Sequence, residues 1–327
     1  MIITRTPFRI SLFGGGSDFP GWYAKNEGAV LSFTIDKYCY ISTRILPPFF
    51  PHKYRVAYSV IETVKNFENI EHPAVREAIR LFSPDIGLEI HHDGDLPARS
   101  GVGSSSAFAS GLIHSLLLLN GEENIDKRDL ANYAIKLEQE ILNENVGSQD
   151  QIACSYGGLN FIKFGLGEQT WNLESIKLTQ QIQNSLEENL FLVFSGVSRY
   201  SSNVSLGLTQ NIDKKKQSIN RSVEMAFRCK EILTQQRDLE EIGELLDESW
   251  ENKRSMNSRA ITPELDEIYA EAKKCGATGG KVLGAGGGGF LLFWVPKYNS
   301  QKFLETFTLG TRVPFHLESQ GSTCLLN

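Results

Sequence analysis

The sequence lacks the cysteine and histidine patterns of disulfide-rich and zinc-binding proteins. Its five cysteines are widely spaced and form no Cys-x-x-Cys pair, so neither a disulfide framework nor a thiolate metal site is predicted. Of six histidines, His91 and His92 alone lie close together, and adjacent residues do not build a zinc site on a helix or strand. These features favour reduced thiols in a cytoplasmic protein.

Basic charge and long apolar runs are equally scarce. The formal net charge is −6, whereas nucleic-acid binding requires a basic face. The cluster Lys214–Lys216 is expected to be a solvated helix face. No uninterrupted apolar run approaches the roughly 20 residues of a membrane span, and Met1–Phe13 carries Arg5 and Arg9, which argues against a secretory signal. We therefore expect neither a nucleic-acid nor a membrane partner.

The segment 97–107, Pro-Ala-Arg-Ser-Gly-Val-Gly-Ser-Ser-Ser-Ala, is the most informative stretch that is present. Gly101 and Gly103 leave backbone N–H groups open to close approach by an anion. The serines at 104–106 precede an apolar run, Ala107–Leu119, that is long enough for a helix. Serine is a favoured N-cap, and a helix start offers unpaired N–H groups and a positive dipole end. The segment predicts a phosphate loop with Mg²⁺ held by serine hydroxyls, although an ordinary capped turn is equally compatible with it.

Two common nucleotide motifs are excluded. The pattern Gly-x-x-x-x-Gly-Lys-Ser/Thr does not occur, so this is not a P-loop. A Gly-x-Gly-x-x-Gly pattern does occur at Gly284, Gly286 and Gly289, but Phe290–Val295 follows it and has the pattern of a strand. A dinucleotide site requires a helix there. No nicotinamide cofactor is predicted.

Two further glycine clusters flank the phosphate loop in sequence. One lies in Pro7–Pro20, Pro-Phe-Arg-Ile-Ser-Leu-Phe-Gly-Gly-Gly-Ser-Asp-Phe-Pro, and the other in Lys281–Phe290. The three motifs in this order resemble the GHMP kinase superfamily. The resemblance implies that the first motif contacts the substrate, the second binds ATP phosphates and the third supports the site. It also implies an N-terminal domain like ribosomal protein S5 domain 2, a ferredoxin-like C-terminal domain, and an ATP site between them.

Within that superfamily the first motif resembles sugar kinases that phosphorylate an anomeric hydroxyl. Galactokinases have an Arg followed by Gly-Glu-His-Thr-Asp at the spacing of Arg9 and Asp18. Here Gly15 and Gly16 replace the Glu-His pair, which argues against galactose. This motif and the segment 147–161 are similar to D-glycero-D-manno-heptose 7-phosphate kinases. Fucokinase domains carry a related Gly-Gly-x-Ser-Asp.

The resemblance also implies roles for individual residues. Asp150 corresponds to the catalytic Asp of the family, and it either takes the hydroxyl proton or orients the hydroxyl. Arg9 is expected near the transferred phosphoryl group, and Asp18 is expected to accept hydrogen bonds from sugar hydroxyls. From the residues alone, Asp150 is equally compatible with a turn after a helix, Arg9 with a surface strand position, and Asp18 with a turn before Pro20.

The expected metal is Mg²⁺, for which the resemblance implies Glu138 and Ser105 as ligands, with Ser104 as the alternative hydroxyl. Helical geometry does not choose between Glu138 and Glu140, because both flank the apolar stripe of the predicted helix to about the same extent. Both are also compatible with a solvated helix flank.

The remaining expected contacts follow the same resemblance. ATP is expected to contact Pro97, Arg99, Ser100, Gly101, Val102, Gly103, Ser104, Ser105 and Ser106. The sugar is expected to contact Gly15, Gly16, Asp18, Arg199, Gly286 and Gly287, with Arg199 facing a substrate phosphate or, equally, solvent.

Strands and helices are mixed without regular alternation, which favours an α+β fold over a doubly wound sheet. A helix is predicted from Asp126 to about Glu144. The polar stretch 165–189 is expected to be a turn-rich domain boundary, giving an ATP-binding domain at 1–175 and a second domain at 176–327.

These features and the resemblance together predict an ATP- and Mg²⁺-dependent kinase that phosphorylates the anomeric hydroxyl of D-glycero-D-manno-heptose 7-phosphate in the cytoplasm. A homodimer is compatible with the sequence. A kinase for L-fucose or another neutral sugar is the alternative within the class. A non-catalytic sugar or nucleotide sensor on the same fold is the alternative outside it. The joint presence of Arg9, Ser105, Glu138 and Asp150 argues against the sensor.

Overall fold

The computed structural model describes residues 1–83, 85–165, 170–197, 215–235, 237–256 and 261–326. Within these residues the chain forms two β-sheets with helices packed against them. This is the α+β fold that the mixed pattern of strands and helices predicts.

Nine strands of the described residues belong to the first sheet. They are β1 (Ile2–Phe13), β2 (Gly28–Ile45), β3 (Tyr54–Ala57), β4 (Ile61–Val64), β5 (Leu88–Gly94), β6 (Leu159–Phe164), β7 (Trp171–Ser175), β12 (Leu317–Glu318) and β13 (Thr323–Leu326). The long strand β2 pairs antiparallel with β1, β5, β6 and β12, and β3 pairs parallel with β5.

The second sheet, as far as the structure describes it, has four antiparallel strands in the order β11-β8-β10-β9. Their bounds are β8 (Leu190–Phe194), β9 (Gly279–Val282), β10 (Phe290–Trp294) and β11 (Thr311–Val313). Because β10 is a strand, the glycine pattern before it does not open a helix. The strand expected after that pattern is confirmed.

Ten α-helices are found in the described part of the chain. They are α1 (Pro20–Tyr23), α2 (Pro73–Phe82), α3 (Ser104–Leu119), α4 (Lys127–Ile135), α5 (Gln149–Tyr156), α6 (Gln180–Asn189), α7 (Lys216–Thr234), α8 (Glu241–Met256), α9 (Pro263–Cys275) and α10 (Lys297–Thr306). A 3₁₀ turn lies at Phe67–Asn69 and a π-helical turn at Lys136–Ile141. In the described ranges, no helix combines the length and the apolar character that a bilayer crossing demands.

Helix α3 is buried over most of its circumference because its residues are mainly apolar or small. It packs against β1 and β2, where Thr4 Oγ1 donates to Gly111 O at 2.9 Å. A Cβ on Gly111 would lie 2.8 Å from Thr6 Oγ1, so glycine allows this close approach. Burial of each large apolar side chain contributes about 1.5–3 kcal/mol. The start of α3 is thereby fixed relative to β1.

The two sheets share one hydrophobic core. Its buried side chains come from the first sheet, from α3, from α7 and from β8 and β10 of the second sheet. The last strands then return to the first sheet, where β13 pairs with β1 and Thr6 Oγ1 lies 2.8 Å from Ser322 Oγ. The domain boundary at 175/176 stays a prediction. A single boundary in sequence assigns β12 and β13 to the second domain, although both strands pair within the first sheet.

Two secondary-structure predictions are wrong. The stretch 165–189 was expected to be turn-rich, but its described residues include β7 and α6. Both elements are polar with few buried side chains, so neither produces a strong apolar pattern. The helix expected to reach Glu144 is α-helical only to Ile135 and continues as the π-helical turn to Ile141.

Candidate active site

Arg9 lies near the end of β1, on the side of the strand that faces the phosphate loop. Its backbone N–H donates to Val102 O at 3.0 Å, and its side chain is only 5% exposed. The guanidinium donates to both carboxylate oxygens of Asp150, with Nε–Oδ1 at 2.6 Å and Nη2–Oδ2 at 2.5 Å. Its Nη1 donates to Gly101 O at 2.8 Å. The alternative that Arg9 is a surface residue on a strand is therefore wrong.

Asp150 lies in the first turn of α5. Asp150 is therefore part of a helix, and the alternative that it lies in a turn after a helix is wrong. The positive end of the helix dipole stabilises a carboxylate at this position. The Asp150 side chain is 24% exposed although Arg9 beneath it is buried. The ion pair thus leaves part of the Asp150 side chain exposed.

Asp18 is buried and holds the first motif against the start of α5. Gly16 N donates to its Oδ1 at 3.0 Å, and Gln149 Nε2 donates to its Oδ2 at 2.9 Å. A Cβ on Gly147 would lie 1.8 Å from Oδ2, so the packing requires glycine there. Burial, with the nearby Asp150 charge, raises the pKa of Asp18. A direct contact between Asp18 and a sugar stays a prediction.

The phosphate loop takes three left-handed backbone conformations in succession, at Arg99, Gly101 and Gly103, with φ of 59°, 88° and 73°. Ser100 Oγ donates to Pro97 O at 2.6 Å, and Arg99 N donates to Ser104 Oγ at 3.0 Å. The N-cap of α3 is Gly103, with no side-chain cap. The expected serine cap is therefore wrong, because the three serines lie inside the first turn.

The third glycine motif packs directly on the phosphate loop. A Cβ on Gly284 would lie 2.6 Å from Gly101 Cα, and one on Gly289 would lie 2.2 Å from Ser100 O. Gly286 and Gly287 lie between them in left-handed conformations, with φ of 96° and 80°. Their assignment to the sugar stays a prediction. Arg199, also assigned to the sugar, lies outside the described residues.

Glu138 faces the start of α3 from the π-helical turn. It is buried, and its Oε2 accepts from Ser106 Oγ at 2.7 Å and from Gln151 Nε2 at 2.6 Å. Ser105 lies close enough to Glu138 to oppose the rise in its pKa. Burial is the largest cause that raises the pKa of Glu138 to about 7. In contrast, Glu140 is exposed.

This donor set fits Mg²⁺. A carboxylate and serine hydroxyls are hard oxygen ligands, and Mg²⁺ uses few protein ligands beside phosphate and water oxygens. Among the residues that the structure describes, no lysine or arginine forms an ion pair with Glu138. Ser104 is directed back to Arg99 N, which favours Ser105 and Ser106 over Ser104.

A buried lysine, Lys281, and a half-buried one, Lys253, lie near Arg9 and were not predicted as site residues. Lys281 Nζ donates to Leu12 O at 2.7 Å, and Lys253 Nζ donates to Val282 O at 2.9 Å. Burial and the Arg9 charge lower the pKa of Lys281 to about 7. Sequence analysis also missed Gln149 and Gln151. Lys281, Gln149 and Gln151 lie within the quoted motifs, and this was the feature of the sequence that could have identified them as site residues. Lys253 lies outside those motifs.

Two family models match the chain. The model of the GHMP kinases N-terminal domain matches residues 68–158, and that of the GHMP kinases C-terminal domain matches residues 230–307. Together they include the phosphate loop, Glu138, Asp150 and the third glycine motif. The chain belongs to the GHMP kinase family and is a phosphotransferase with an alcohol group as acceptor.

Individual relatives agree with this assignment. The D-glycero-alpha-D-manno-heptose 7-phosphate kinase of Campylobacter jejuni is 28% identical over 325 residues, covering 93% of each chain. A bifunctional fucokinase/GDP-fucose pyrophosphorylase of Arabidopsis thaliana is 27% identical over 88% of this chain and 29% of its own. A D-glycero-D-manno-heptose 1-phosphate kinase structure from Bacteriodes thetaiotaomicron has the same fold, with a TM-score of 0.81, 21% identity and coverage of 100% and 99%.

Proposed function

We propose that this protein is an ATP- and Mg²⁺-dependent sugar kinase acting on the C1 hydroxyl of D-glycero-D-manno-heptose 7-phosphate. The product is the 1,7-bisphosphate, an intermediate suited to activated-heptose synthesis. The similarity to the Campylobacter jejuni enzyme extends over nearly all of both chains and supports this substrate. The observation that carries the proposal is the buried Arg9–Asp150 pair, which presents a partly exposed carboxylate beside the phosphate loop.

The chemistry requires one proton transfer and one phosphoryl transfer. Asp150 orients the C1 hydroxyl and accepts its proton, because its side chain is partly exposed and Arg9 holds it in one orientation. The bond between O1 and the γ-phosphorus forms as the bond from that phosphorus to the β,γ-bridging oxygen breaks. ADP leaves, and the proton passes from Asp150 to solvent. Arg9 stays charged at any working pH and stabilises the developing negative charge.

The nucleotide binds at the start of α3. Backbone N–H groups of the loop from Gly101 to Ser106 and the helix dipole bind the phosphates. Glu138, Ser105 and Ser106 are the residues that would hold Mg²⁺. When bound, the ion neutralises charge on the phosphate oxygens.

An L-fucose-like kinase is the second candidate, favoured by the match to the Arabidopsis thaliana bifunctional fucokinase over 88% of this chain. It differs from the first in its acceptor, because fucose carries no phosphate. A non-catalytic sensor has no need for a partly exposed carboxylate held by a buried arginine.

ADP release measured with a coupled assay separates these candidates. The acceptors are D-glycero-D-manno-heptose 7-phosphate, the same heptose without phosphate, L-fucose, galactose and mevalonate. We expect kcat/KM to be highest for heptose 7-phosphate, with loss of the reducing end as C1 is phosphorylated. A preference for L-fucose would replace the first candidate by the second. ATP and sugar binding without ADP release above background would support the sensor.

A further inference from the structure

The turn Gly14–Asp18, here called the substrate turn, contains glycines of different kinds. A Cβ on Gly14 would lie 1.9 Å from Ala29 O, so the packing demands glycine. Gly15 has no positive φ, and among the described residues a Cβ there would meet only Gln149 Nε2, at 3.8 Å. Within the part of the chain that the structure describes, neither backbone conformation nor crowding explains glycine at position 15. Its effect is to leave space beside the Gln149 amide.

Gln149 is only partly satisfied by its protein partners. Its side chain is buried, with 7% of the residue exposed, and its Nε2 donates to Asp18 Oδ2. Its Oε1 is buried without a hydrogen-bond partner among the described residues. A side-chain amide can form up to four hydrogen bonds, and an unpaired buried acceptor costs about 1–3 kcal/mol. Such a group in a native protein calls for an explanation.

The position of Gln149 connects this amide to the reaction. Its neighbour in sequence, Asp150, is held by Arg9, and its amide holds Asp18 in the substrate turn. The amide of Gln149 therefore contacts Asp18 and is next in sequence to Asp150, the two carboxylates that the acceptor molecule is expected to approach. Polyols supply the O–H donors that such an oxygen lacks.

We propose that Gln149 is a specificity-determining residue whose amide binds one hydroxyl of the acceptor sugar in the space left by Gly15. The inference rests on the proposed function, because it requires a polyhydroxy acceptor. A site built to bind a hydroxyl strongly rejects the analogue that lacks it, since the polar group of the protein then stays unpaired.

The test is a series of 2-, 3-, 4- and 6-deoxy analogues of D-glycero-D-manno-heptose 7-phosphate, assayed with the wild type and with Gln149→Met. Methionine keeps the length of the side chain and removes the amide. For one position in the series, we expect the wild type to lose at least about 100-fold in kcat/KM, and the variant to lose less than threefold. The other positions should keep their wild-type ratios.

A purely structural role would give a different result. If Gln149 served only to hold Asp18, then Gln149→Met would lower kcat/KM by the same factor for every analogue, and the proposal would be overturned. The matched control is Gln139→Met. Gln139 donates to Val146 O and to Ser148 Oγ, so it supports the same segment without bordering Gly15. We expect Gln139→Met to leave all deoxy ratios unchanged.

Two further arms keep the outcomes separate. Thermal unfolding shows whether Gln149→Met folds. If Gln149→Met does not fold, Gln149→Asn takes its place, because asparagine is one methylene shorter and withdraws the amide. If the wild type does not phosphorylate heptose 7-phosphate but does phosphorylate another sugar, only the proposed substrate is contradicted. The deoxy analogues are then prepared from the sugar that is phosphorylated. Turnover of no sugar contradicts both proposals.

Discussion

Arg9 fixes the orientation of Asp150 relative to the phosphate loop. The guanidinium is a planar fork, and here it donates to both oxygens of one carboxylate and to the carbonyl of Gly101. Lysine has a single ammonium and cannot reproduce this pattern of directions. The distance between the Asp150 carboxylate and Gly101 of the loop is thus set by one side chain, which is itself held by β1.

Replacing Asp150 with Asn tests the proposed proton acceptor. Asn has almost the same shape but cannot take the hydroxyl proton, so we expect kcat to fall by about 10²–10⁴. ATP binding, measured by titration calorimetry, should change little because the phosphate loop is intact. The same change leaves Arg9 buried without its counter-ion, which should lower the melting temperature.

The control for Asp150→Asn is Glu140→Gln, which also removes one carboxylate but at an exposed position of the π-helical turn. Its kcat should equal that of the wild type. A kcat within threefold of the wild type for Asp150→Asn would show that the base is assigned to the wrong residue.

At the scale of single elements, the π-helical turn at Lys136–Ile141 decides which glutamate faces the loop. A regular α-helix would place Glu138 and Glu140 symmetrically about the apolar stripe. The wider turn changes the angle between successive residues, so Glu138 is buried beside Ser106 and Glu140 is exposed. A helical wheel built on 3.6 residues per turn cannot represent this.

The matched pair Glu138→Gln and Glu140→Gln tests the consequence for Mg²⁺. We expect Glu138→Gln to raise the Mg²⁺ concentration for half-maximal rate by at least about tenfold, because a charged oxygen ligand becomes neutral. Glu140→Gln should leave it unchanged. Initial rates at fixed ATP over a range of Mg²⁺ concentrations provide the measurement. Equal Mg²⁺ dependence of the two variants would remove Glu138 from the metal site.

Gly101→Ala tests the phosphate loop, and Gly121→Ala is its control. Both glycines have nearly the same positive φ, 88° and 87°. A Cβ on Gly101 would lie 2.8 Å from Leu283 O, whereas one on Gly121 meets nothing within 4 Å. Gly121→Ala should cost about 1 kcal/mol from backbone strain alone. Gly101→Ala should cost more and should also weaken ATP binding. Equal effects on ATP affinity would contradict the placement of the loop.

The sequence predicts strong elements well and polar ones poorly. The strand expected at Phe290–Val295 is strongly apolar, and the structure confirms it as β10. The polar elements β7 and α6 were not predicted, because their placement depends on neighbours distant in sequence. Of the site, the first two glycine motifs indicated Arg9 and the loop, and the family resemblance of the segment 147–161 indicated Asp150. The roles of Lys281 and Gln149 depend on contacts between segments that no local pattern encodes.

At the scale of the whole molecule, Lys281 connects the two sheets. It lies on β9 of the second sheet, and its Nζ donates to Ser11 O and Leu12 O at the end of β1. The cations near it are Arg9 and Lys253, and neither is a counter-ion. Burial lowers its pKa from 10.5 to about 7. The folded state therefore binds fewer protons than the unfolded state between those two values.

Stability should consequently rise with pH in that window. Relative to Lys281→Met, the free energy of unfolding of the wild type should increase between pH 7 and about 10, by up to about 1.4 kcal/mol per pH unit. Urea unfolding at several pH values measures this difference. Lys297→Met, at an exposed position, controls for the loss of one positive charge. A difference between wild type and Lys281→Met that is constant with pH would contradict the prediction.

The return of β13 to β1 has a consequence for biosynthesis. Thr6 and Ser322 are 316 positions apart yet touch, so the edge of β1 stays open until almost all of this sequence has left the ribosome. Strand pairings between residues far apart in sequence form slowly. An unpaired strand edge can meanwhile pair with other chains. A nascent chain of this protein should therefore depend on chaperones until its last strands emerge.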